Sequence, residues 1–123
     1  MTRRTRYADI PAWRTLDGSE IRELCHPAVH GNRNQSLAEA IVEPGQSTRL
    51  HLHRQSEELY HLLAGRGVMT LGAEQFPVRP GDTVLIDPGT PHRISADGPD
   101  LLRLLCCCSP AYAHDDTDLL EDP

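Results

Sequence analysis

Along most of the chain, apolar residues come in short runs, several of them alternating with polar residues, and proline or glycine punctuates the sequence between runs. A period of two turns one face of an extended segment toward a core and the other toward water. EELYHLLA (57–64) shows it clearly: Glu58, Tyr60 and Leu62 share one face, while Glu57 and His61 point the other way. On this reading strands cover 21–25, 36–42, 48–53, 57–64, 66–72, 74–78, 82–86, 92–96 and 100–108, each rich in Val, Ile, Leu or Thr or bounded by turn residues. So many short strands predict an all-β domain, either a sandwich or a closed barrel, the latter removing exposed edges. Residues 1–20 read as an irregular lead-in and 21–108 as the barrel. Residues 109–123, SPAYAHDDTDLLEDP, read as an acidic tail that drapes over the barrel and adds little core.

Composition narrows the function classes. A chain of 123 residues suits one domain with a single core. The net charge is −6 and all 12 basic residues are arginines, so lysine-based Schiff-base chemistry is excluded. No basic, aromatic-interleaved stripe is available to neutralise a phosphate backbone, so no nucleic-acid partner is expected. TRRTR (2–6) is the one locally basic stretch and reads as a solvated, mobile end. No apolar stretch follows it, and LLRLLCCC falls far short of the ~20 residues a membrane-spanning helix needs. A soluble, cytoplasmic protein without a membrane partner is expected. Cys106, Cys107 and Cys108 are consecutive, which argues against both a disulfide framework and zinc binding, and leaves apolar strand packing as their role.

The candidate chemistry lies in GQSTRLHLHRQSEELYHLLAG (45–65). An H-x-H pair is weak evidence by itself in a chain with seven histidines. On a strand, however, His51 and His53 project from one face with Cβ atoms roughly 6.6 Å apart, from which two imidazoles can converge on one ion. After the connection through Arg54, Gln55 and Ser56, only one of Glu57 and Glu58 can join them. Further on, Pro88-Gly89 suits the centre of a type II turn, and His92 opens a strand just beyond it.

These two segments resemble the two motifs of the cupin superfamily: Gly45, His51, His53, Glu58 and Gly65, then Gly81-Asp82, Gly89 and His92. The resemblance covers 45–96 directly and, through the strand rhythm, about 21–108. The sequence departs from the second motif in two places. Asp87 stands where the family usually has proline, with Pro88 one place later, and Ala96 stands where asparagine is common. The resemblance implies a small jelly-roll barrel, a double-stranded β-helix, in which His51, His53, Glu58 and His92 bind one divalent transition metal. Three imidazoles and a carboxylate suit Fe, Mn, Ni, Co, Cu or Zn.

Around that set, Arg49 shares a face with His51 and His53. It either meets a substrate carboxylate or enolate or leans out at the barrel mouth. Tyr60 is the inward non-ligand group able to move a proton. His61 faces away, and His26, His30 and His114 lie outside the motifs. Four protein ligands on an octahedral ion leave two positions open. This favours a metal-dependent enzyme acting on a small oxygen-bearing organic molecule, with dioxygenase-type oxidation as the leading expectation. A non-redox isomerase or lyase like the sugar-phosphate-isomerase-like cupins, and a non-catalytic small-ligand-binding module, are the alternatives. The apolar strands 21–25 and 101–108, and the habit of single-domain cupins, lead us to expect a homodimer.

Overall fold

The computed structural model describes residues 3–121. Thr2 of the basic TRRTR segment and the last two residues of the tail lie outside the described residues. The strands are β1 (Trp13–Arg14), β2 (Glu20–Cys25), β3 (Ser36–Val42), β4 (His51–His53), β5 (Glu57–Ala64), β6 (Gly67–Leu71), β7 (Glu74–Val78), β8 (Thr83–Ile86), β9 (His92–Ala96), β10 (Leu102–Ser109) and β11 (Thr117–Leu119). A short α-helix, α1 (Pro27–His30), follows β2. The strands form two antiparallel sheets, ordered β1-β2-β3-β10-β5-β8 and β11-β4-β9-β6-β7. This is the expected all-β jelly roll, and no described helix is long and apolar enough to cross a membrane.

Period-two burial builds the core between the sheets. On β5, Glu58, Tyr60 and Leu62 are buried while Glu57 and Leu59 are exposed. Leu62 pairs across the ladder with Leu104 of β10, and both are completely enclosed with Met69, Ile86, Ile94 and Leu102. Toward the other end the inward residues of β3 shrink to Ala38 and Ala40, and these short side chains leave the barrel hollow. On the outer face of the larger sheet, exposed Leu37, Leu59 and Leu85 form a row with Cys107, each registered to the next across β3, β10, β5 and β8.

Three elements differ from the sequence reading. β4 begins at His51 rather than at residue 48, because the ladder is interrupted at Arg49 just before it. Thr48 exchanges bonds with Ile94, and the Arg49 N–H donates to the Asp17 carbonyl in the lead-in at 2.7 Å. The lead-in is not wholly irregular, since it supplies β1, and Thr5 Oγ1 donates to the Leu24 carbonyl. The tail does more than drape over the barrel. β11 extends the smaller sheet beside β4, pairing Thr117 with His53 and Leu119 with His51. Just before it, the Asp116 carboxylate accepts the Gln55 and Ser56 N–H groups at 2.9 and 3.1 Å, satisfying the donors of the β4–β5 connection.

Candidate metal centre

His51 and His53 stand on β4, His92 stands directly opposite His51 on β9, and Glu58 stands on β5 of the facing sheet. All four are buried, His92 completely. Among the described residues, His51, His53 and His92 form a cluster whose ligand atoms lie within 4.8 Å of one another. Glu58 closes it from the other sheet, with Oε1 3.1 Å from His53 Nε2 and 3.4 Å from His92 Nε2.

The hydrogen bonds behind the rings decide which nitrogen faces inward. His51 Nδ1 donates to the Arg49 carbonyl at 2.7 Å, and His92 Nδ1 to the Thr90 carbonyl at 2.9 Å. His53 Nδ1 meets Thr117 Oγ1 at 2.9 Å; that hydroxyl already spends its proton on the Ala113 carbonyl, so the imidazole is the donor. Each ring is thereby held as the tautomer that turns a bare Nε2 toward the centre. Fully buried His92 Nε2 has no hydrogen-bond partner, and His53 Nε2 faces a carboxylate oxygen, acceptor against acceptor. Only a cation or an added proton reconciles such a set, and its nitrogen and oxygen donors fit a divalent transition metal.

Electrostatics agree. Burial alone would raise the Glu58 carboxyl, but the imidazoles of His53 and His92 outweigh it and bring it down to about 2, so Glu58 is a carboxylate. Burial, and then the neighbouring His92, push His51 below its ordinary 6.5. A metal ion and a proton compete for the same imidazole nitrogens and for the Glu58 carboxylate, so metal binding tightens as pH rises. Titration calorimetry at a series of pH values will show this as an affinity that weakens toward acid; an affinity independent of pH would refute it.

The hollow beside the centre has a cavity volume of about 40 Å³. Its apolar wall includes Ile21, Val42, Ile94 and Leu104, and its polar groups include Asp17, Glu23, Tyr60, Cys106, Cys108 and Tyr112. Tyr60 packs edge-on to His92, their centroids 5.8 Å apart, and burial keeps its phenol protonated well above the ordinary range. As a neutral phenol it can offer a hydrogen bond to a molecule in the hollow. Arg49 does not line the hollow; its guanidinium donates to the Leu16 carbonyl at 2.8 Å, bracing the lead-in. His61 points outward to Thr83 Oγ1. His26 caps α1 and reaches the Tyr112 carbonyl, while His114 packs at a tilt against Trp13 and edge-on to Tyr112.

Several groups escaped the sequence reading. Cys108 Sγ donates to Glu58 Oε2 at 3.2 Å, so the cysteine run does more than pack; strand alternation put Cys106 and Cys108 on one face, which was the available signal. Glu23 reaches the same hollow from β2 with Oε2 buried and unpartnered, and burial raises its carboxyl. Asp17 lies beside His51, its Oδ2 3.8 Å from Nε2. Nothing in the motif spacing pointed to either carboxylate.

A family model for the cupin domain matches residues 38–108. The chain is 52% identical over 118 residues to uncharacterized protein MJ1618 of Methanocaldococcus jannaschii, covering 96% of this chain and 94% of that one. Among solved structures, one described as a predicted oxalate decarboxylase from Thermotoga maritima superposes with TM-score 0.76 at 26% identity, covering 85% of this chain and 96% of the other. The polyketide cyclase RemF from Streptomyces resistomycificus superposes with TM-score 0.82 at 22% identity, covering 100% and 88%, a likeness of fold.

Proposed function

Because the chain belongs to the cupin family, matching its domain over 38–108, we propose that the hollow is the active site of a metal-dependent enzyme acting on a small oxygen-bearing organic molecule by acid–base rather than oxidative chemistry. One observation carries this reading. Next to three inward Nε2 atoms and Glu58, the same cavity wall holds carboxyl and phenol groups whose pKa burial raises: Glu23, Tyr60 and Tyr112. Such groups serve an isomerase or lyase, which must deliver and remove protons, and a dioxygenase has less need of them. The similarity to a protein described as a predicted oxalate decarboxylase supports a reaction of the lyase type.

A bound divalent ion would supply Lewis acidity toward a substrate carbonyl, carboxylate or hydroxyl oxygen. The protein's own residues do the rest. Tyr60 and Tyr112 donate hydrogen bonds to the substrate, and Glu23, its Oε2 without a hydrogen-bond partner, is the carboxyl that exchanges a proton with it. The apolar wall keeps bulk water from quenching a carbanion or enolate.

Protein loaded separately with Mn, Fe, Co, Ni and Zn, then incubated in D2O under nitrogen with enolisable keto acids, hydroxy acids and diketones, provides the test. Metal-dependent deuterium uptake or product formation without oxygen is expected by NMR. Turnover seen only with oxygen consumption would restore the oxidative reading in its place.

A further inference from the structure

We propose that Asp17 is a fifth protein ligand of the metal centre, an inference that rests on the metal-dependent reading above. Asp17 lies in the lead-in, outside both motifs, yet the fold delivers it to the cluster with care. Its backbone carbonyl accepts the Arg49 N–H at 2.7 Å, two residues before His51, and the Arg49 guanidinium holds the adjoining Leu16 carbonyl. Its side chain is aimed as well. Oδ1 accepts both the Ser19 N–H at 2.9 Å and the Ser19 hydroxyl at 2.7 Å, and Ser19 is itself buried. With one oxygen tethered, the other is turned to the centre, 3.8 Å from His51 Nε2.

That contact again sets acceptor against acceptor, since His51 spends its Nδ1 proton on the Arg49 carbonyl. Glu58 and Asp17 thus approach the three bare imidazole nitrogens from two sides, Glu58 beside His53 and His92, Asp17 beside His51. The fully buried, unpartnered Nε2 of His92 points into the same space. Two carboxylates and three neutral imidazoles match a divalent cation charge for charge. Five protein ligands on an octahedral ion leave one position for a substrate oxygen, too few for substrate and dioxygen side by side. Arg49 is by this account a positioning residue, acting on the centre through the carboxylate it anchors.

Cobalt(II) is the probe. D17N keeps the oxygen that Ser19 holds and loses the charge, whereas D17E keeps the charge. Competition with a chelator is expected to show Co2+ bound at least about tenfold more weakly by D17N, with a more intense visible d–d band as coordination number falls, and D17E recovering most of the affinity. Urea unfolding of the metal-free variants confirms that the fold is retained. If D17N binds Co2+ as tightly as the wild type with an unchanged spectrum, the Asp17 assignment falls and the four-ligand centre stands. If the wild-type protein holds no Co2+ at all, the metal-dependent reading falls with it.

Discussion

Replacing His92 by alanine is expected to cost at least about a hundredfold in metal affinity and to abolish the thermal stabilisation that a saturating divalent ion confers on the wild-type protein. His92 is the one member of the set with no exposed surface, its Nε2 has no hydrogen-bond partner, and its ring packs at a tilt against both His51 and His53. Alanine removes a ligand that no neighbour can replace. Ligand binding stabilises the folded state by RT ln(1 + [L]/Kd), about 2.7 kcal/mol at a hundredfold excess over Kd, so the loss is visible in melting as well as in metal content. Plasma mass spectrometry on untagged protein, beside melting curves with and without metal, reads both. A variant that still carries one ion per chain would refute the placement of the centre.

Gly65→Ala should be the most damaging single substitution for the fold itself. Gly65 directly follows β5 with φ at +83°, where a side chain is strained, and an added Cβ would lie 2.3 Å from the Leu101 carbonyl oxygen. Both contributions fall on backbone that cannot swing aside: left-handed strain costs of order 1–3 kcal/mol, and a clash with the start of β10 adds to it. We expect a loss of roughly 3 kcal/mol or more, a large share of the 5–15 kcal/mol typical of a domain. It should appear as a lower urea midpoint at unchanged slope. Gly81→Ala is the comparison, since its φ is +96° but no atom lies within 4 Å of the added Cβ; equal losses in the two variants would refute the clash.

Gly65 also illustrates what could be read in advance. Its place in the motif, the alternation of β5 and the turn before His92 are local features, each written in a few adjacent residues, and they located the barrel and the convergent histidines. The groups that went unread depend on distant parts of the chain. Asp17 reaches His51 only because the Arg49 N–H leaves the sheet ladder for the lead-in, which is also why β4 starts three residues late. Thr117 settles the His53 tautomer from a tail whose TDL segment has no hydrophobic alternation to announce a strand. Asp116 belongs to an acidic stretch that looks solvated by composition, yet it caps backbone donors some sixty positions earlier in the sequence. Long-range polar pairing carries no periodicity, so the frame of the site was legible and its carboxylate flank was not.

The cysteine run separates two chemical environments on a single strand. Burial and the nearby Glu58 carboxylate hold Cys106 and Cys108 as neutral thiols in the wall of the hollow, whereas Cys107 turns outward into the row of Leu37, Leu59 and Leu85. Because only thiolates alkylate readily, a maleimide or iodoacetamide reagent will discriminate between neighbours in the chain. With the partly exposed thiol of Cys25 removed by Cys25→Ser, the protein carries an anchoring point for a spin label or fluorophore at Cys107, fixed to the back of the strand whose front contacts Glu58, where events in the cavity can be followed without a group placed inside it.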